Sequence, residues 1–66
     1  MANHSEQRRP PLTVPGAAKY AGTSERHVRR LILERRLASC RLGGRVLVFP
    51  DDIDALLEAG RRPAIP

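Results

Sequence analysis

Tryptophan is missing from this 66-residue chain, and phenylalanine, tyrosine, methionine and cysteine occur once each. A single cysteine, Cys40, excludes an intramolecular disulfide and a cysteine-built zinc cluster. An unstapled domain of this size suits a reducing compartment. With so few aromatics, the core must come from Leu, Ile, Val and Ala. No apolar run approaches the ~18 residues of a membrane span. The opening MANHSEQRRPP has no apolar centre of the kind a signal peptide carries. A cytoplasmic protein with no membrane partner is expected. The length allows one domain. So short a chain buries only about 60% of its unfolded surface, which leaves little room for a closed pocket.

What the chain does have is arginine. Eleven of its twelve basic residues are Arg, and the net charge is +5. Residues 1–49 hold ten Lys/Arg against three Asp/Glu, whereas residues 50–66 hold two against four. The basic character therefore precedes Pro50, apart from Arg61 and Arg62. Arginine's planar fork suits phosphate oxygens and guanine edges.

Residues 1–11 read as a disordered basic arm ending in Pro10–Pro11. Leu12-Thr13-Val14-Pro15 reads as a helix start, with Thr13 as cap and Pro15 in the first turn, where its missing N–H costs nothing. Val14, Ala17, Ala18 and Ala21 share one face of a helix over 14–21, and Gly22 ends it in the left-handed conformation. Gly16 weakens that helix, by up to ~1 kcal/mol relative to Ala.

Ser24 is the expected cap of a second helix over 25–36, with Glu25 at its positive end. At helical spacing Val28, Leu31, Ile32 and Arg35 form its inward stripe, while Arg26, Arg29, Arg30 and Leu33 lie on the other side. In "ASCRLGGRVLVF" (38–49) the period changes, and a central Gly43-Gly44 predicts two short strands joined as a hairpin. Pro50-Asp51-Asp52 then opens a third helix that carries Ile53, Leu56 and Leu57 and ends at Gly60. A short basic tail, 61–66, follows.

The order predicts a mainly α fold with a small β-hairpin, a winged helix-turn-helix occupying residues 12–60. In such a motif the second helix enters the major groove and presents its N-terminal exposed residues to base edges. Here those residues are Ser24, Arg26, His27 and Arg30. The hairpin becomes a wing that places Arg41 or Arg45, beside the Gly43–Gly44 tip, on an adjacent groove or phosphate. Double-stranded DNA is the expected partner. His27 reads as a polar or phosphate contact rather than a metal ligand. Asp51, Asp52, Asp54 and Glu58 are explained by the helix dipole rather than by catalysis. Arg35 and Arg36 are suited either to pairing with third-helix acids or to binding phosphate. No catalytic set, metal cluster or cofactor loop is legible, so no enzyme activity is expected.

Leu12-Thr13, Ala17-Ala18, Gly22-Thr23-Ser24, Val28-Arg29-Arg30-Leu31-Ile32, Arg41-Leu42-Gly43-Gly44-Arg45 and Pro50-Asp51-Asp52 form an ordered set. In order and spacing it resembles the excisionase-type branch of MerR-like winged-helix DNA-binding domains, over residues 12–60. Gly16 and Ala21 depart from that pattern, where a helix-favouring residue and Leu are common. The resemblance implies a recombination directionality factor of a phage or other mobile element. Such a protein binds near an attachment site, bends DNA beside neighbouring copies of itself, and steers an integrase toward excision. It also implies that Arg26, Arg29 and Arg30 contact groove and phosphate and that Arg45 is the wing contact. No effector domain or long dimerising helix is legible, so no small-molecule effector is expected. The competing reading is a small phage or plasmid repressor that binds a promoter operator with the same fold.

Overall fold

A computed structural model of the protein describes residues 9–62. Strand β1 (Leu12–Thr13) leads without a break into helix α1 (Val14–Ala21). Helix α2 (Glu25–Leu33), strands β2 (Cys40–Leu42) and β3 (Arg45–Val48), and helix α3 (Pro50–Ala59) follow. The three strands form one antiparallel sheet in the order β1-β3-β2. This is a winged helix-turn-helix whose sheet has a third strand beyond the expected hairpin.

Local chemistry explains most boundaries. The Thr13 side chain accepts a hydrogen bond from the Gly16 amide at 3.2 Å, and Pro15 sits in the first turn of α1. Gly22 closes α1 at φ 73°, where a β-carbon is strained, and its amide returns to the Ala18 and Lys19 carbonyls. Ser24 caps α2 by accepting from the His27 amide at 3.1 Å. Pro50, Asp51 and Asp52 occupy the first turn of α3. At the wing tip Gly43 takes φ 62° and so depends on glycine.

Two expectations about elements are corrected. Leu12 and Thr13 are not only a helix start. They pair with β3, Leu12 opposite Val48 and Thr13 opposite Leu47. Helix α2 ends at Leu33 rather than at residue 36. Arg35 adopts φ 61°, and the amides of Arg36 and Leu37 both turn back to the Leu31 carbonyl, at 2.9 and 3.2 Å. This turn carries Leu37 into the core. Arg35 is therefore exposed and outside the helix, not on its inward stripe.

The core is aliphatic and small. Val14, Ala17, Ala18, Val28, Leu37, Val48 and Ile53 are its buried residues, with Val28 and Val48 the largest fully buried side chains. Leu31 and Ile32 pack against it only partly buried. α1 packs against α2, α3 and β3, so it is the hub of the domain.

Ile53→Ala should destabilise the domain by about 2–4 kcal/mol through the cavity it leaves, and a thermal melt will show the loss. Leu33 is 81% exposed, so Leu33→Ser should leave the melt almost unchanged. Arg35→Gly should raise stability by roughly 0.5 kcal/mol, because the left-handed cost of about 1–2 kcal/mol exceeds the dipole benefit of a cation there. A lower melting temperature for that variant would contradict this reading of the turn.

Candidate nucleic-acid interface

All nine candidate contacts, Ser24, Arg26, His27, Arg29, Arg30, Arg41, Gly43, Gly44 and Arg45, are exposed. Their local duties differ. The Ser24 hydroxyl oxygen is engaged as the α2 cap. His27 Nδ1 lies 3.0 Å from Thr23 Oγ1, which orients its ring against the turn. Arg29 lies 4.0 Å from Glu25 one turn back, an exposed pair of small energetic weight. Among the described residues no ion pair engages Arg26, Arg30, Arg41 or Arg45. Arg26 and Arg30, four residues apart on one side of α2, are free to reach outward.

The wing separates its two arginines. Arg41 pairs across the ladder with Val46, whereas Arg45 pairs with Leu42. Directly opposed residues share a face and neighbours along a strand alternate. Arg41 therefore lies on the Val46 face and Arg45 on the other. Arg45 and Gly44 line a shallow cleft with Arg29 and with the first turn of α1, at Thr13, Val14 and Pro15. The fold thus brings Arg29, Gly44 and Arg45 together from two elements, and leaves Arg41 apart on the wing.

The helix-turn-helix domain family matches residues 11–61, most of the chain. The chain belongs to the helix-turn-helix domain family. Its activity is sequence-specific DNA binding, which agrees with a capped, arginine-rich second helix beside a glycine-tipped wing. Comparison with curated proteins and with solved structures found no match. No helix among the described residues is long and apolar enough to cross a membrane.

Sequence reasoning missed what holds Asp51 and Asp54 of α3. Arg9, placed in the arm, donates to the Tyr20 hydroxyl at 3.0 Å and to Asp51 Oδ1 at 2.7 Å, and also engages Asp54. The Tyr20 hydroxyl donates to Asp54 Oδ1 at 2.7 Å. The Arg9 guanidinium also stands 5.8 Å from the centre of the Tyr20 ring. Four groups from the arm, α1 and α3 thus form one network. The rest of the arm, residues 1–8, and residues 63–66 of the tail lie outside the described residues. Arg36 pairs with Glu34 at 3.9 Å, not with an acid of α3.

The Tyr20 hydrogen bond, and then Arg9, hold the Asp54 carboxyl below its ordinary value near 3.8. Three hydrogen-bond partners raise the Arg9 guanidinium, the largest effect coming from Asp51. A depressed carboxylate contributes stability that is present above its unfolded value and lost as pH falls through its folded one. Melting temperature should therefore fall as pH drops below about 4. Tyr20→Phe and Asp54→Asn should each flatten that acid limb. An unchanged limb in both variants would remove the network from the pH dependence.

Proposed function

We propose that the protein is an excisionase, a recombination directionality factor that binds near an attachment site and directs an integrase toward excision. It does so by bending DNA beside neighbouring copies of itself. The observation that carries the DNA half of this reading is charge sorting on a helix-turn-helix. Arg26 and Arg30 stand exposed and without ion pairs among the described residues, while Asp51 and Asp54 of α3 are drawn toward Arg9 and Glu58 toward Arg61. The recombination half rests on the likeness of residues 12–60 to the excisionase-type branch. The activity belongs in the cytoplasm of a bacterial host, on DNA.

In this reading Arg26 and Arg30 meet base edges, with Ser24 and His27 at the groove entrance. Arg29 and Arg45 converge on backbone phosphate beside Gly44, and Arg41 and Gly43 meet the flank of the wing. One such module covers about 600–1,000 Å² of protein surface on DNA. With about 5–7 phosphate contacts, log K falls with log salt at a slope near −5 to −6. A lone copy binds modestly at physiological salt, so useful occupancy comes from several copies on adjacent sites.

Arg30→Ala should cost about 1–3 kcal/mol and relax preference at one base position. Arg45→Ala should weaken all sequences evenly and reduce the salt slope by about 1. Titrations by gel shift at three salt concentrations separate the two patterns, and wild-type behaviour in both variants would sink the docking scheme. Footprinting over attachment-site DNA should give evenly repeated, cooperative protections. One protected operator over a promoter would instead make the protein a small repressor.

A further inference from the structure

The helices leave an open apolar groove that borders the outward arginines of α2 through His27. α1 packs against both α2 and α3, but α2 and α3 make at most marginal contact with each other. The resulting groove, of about 420 Å³, has Ala17, Val28 and Ile53 at its base and Leu31, Leu56 and Leu57 on its walls. Its charged or titratable lining side chains are His27 and Arg36, with no Asp or Glu. Leu57 stands at the rim, 51% exposed, between Asp54 three residues before it and Glu58 next to it.

We propose that this groove is a self-association surface. In the pairing, α3 of a second copy lies along it about a two-fold axis, and each copy seats its Leu57 in the groove of the other. A two-fold contact requires one patch to hold both knob and hole. This patch does, since Leu57 is both a wall of the groove and its most exposed large apolar side chain. The charges agree with that occupant. α3 carries four acids and no base, and the groove's ionisable side chains are Arg36 and His27. Glu58 and Arg36 hold only exposed partners within the chain, Arg61 at 3.3 Å and Glu34 at 3.9 Å, weak pairs that a contact across the two-fold can replace. The two-fold arrangement therefore sets the acidic flank of Leu57, with Glu58, against Arg36 of the partner subunit.

The other exposed leucine on a helix, Leu33, would bring Arg29 and Arg30 with it. Like charges would then face Arg36 across the contact, which disfavours α2 as the occupant. Ala59 and Gly60 line one end of the groove and let a second backbone approach closely. A domain with so thin a core gains apolar burial from such pairing. The contact does not depend on DNA, and it differs from side-by-side copies on adjacent sites.

The test is sedimentation equilibrium of the full chain without DNA, up to about 1 mM, where even weak specific association registers. The mass should rise from 7.3 kDa toward twice that value with concentration. Leu57→Glu should hold it at 7.3 kDa while far-UV circular dichroism and the melt remain those of a folded domain. Arg36→Glu, at a largely exposed position, should weaken association about tenfold, and Glu58→Arg should do the same. The double variant should regain most of the loss, because it restores the pair with its signs exchanged. A wild-type mass of 7.3 kDa throughout would overturn the proposal. So would wild-type association by Leu57→Glu, or a double variant no better than the singles.

Discussion

Leu12 and Thr13 belong to two elements at once, and the geometry of the domain follows from that. Their backbone pairs with Val48 and Leu47 of β3, and the Thr13 side chain caps the helix that begins one residue later. The sheet and α1 are therefore joined with no hinge between them. α1 in turn packs against α2, and the connection between these helices is only Gly22, Thr23 and Ser24. The β2–β3 hairpin and α2, the proposed recognition helix, are thus held in fixed relation through two residues and one helix. Arg29 and Arg45 line one cleft beside the first turn of α1 because of this chain of contacts.

Charge is sorted by a second device. The acids at the start of α3 suit the positive end of its dipole, and Arg9 bridges Asp51 and Asp54 from outside the helix. Tyr20 joins them from α1, so the network spans three parts of the chain. Each exposed pair is weak taken singly. Together they engage two carboxylates that would otherwise be free to attract the arginines of α2. Arg26 and Arg30 are left without acidic partners among the described residues, which is the state a phosphate-facing side chain needs.

Where backbone chemistry is local, the residues announced it. Thr13, Gly22, Ser24 and Pro50 mark helix ends through caps, a left-handed glycine and a missing N–H, and each stands where those properties predict. Gly43-Gly44 likewise announced the hairpin. β1 was not legible, because two residues have no periodicity and their partner lies 34 to 36 positions away. The end of α2 was hidden because Arg35, not glycine, takes the left-handed position. The burial of Leu37 is what calls for the turn there. Arg9 was unreadable for the same reason as β1, since its carboxylate partners are 42 and 45 residues distant. Within the candidate site the identity of the basic side chains was legible. The opposite faces of Arg41 and Arg45 were not, because strand register decides them.

The hub role of α1 explains why the domain has surface to offer in two directions. Its buried contacts are with small residues, Ala17 and Ala18, that let α2 and α3 approach it closely on different sides. A larger hub helix would push them apart, and a longer turn would let them fold onto each other. With short connections and small contacts, α2 and α3 each rest on α1 but barely on one another. The outward side of α2 stays available for an acidic polymer, while the cleft between α2 and α3 keeps apolar surface uncovered. Both features have one cause, a three-helix arrangement whose close helix packing runs through its first helix.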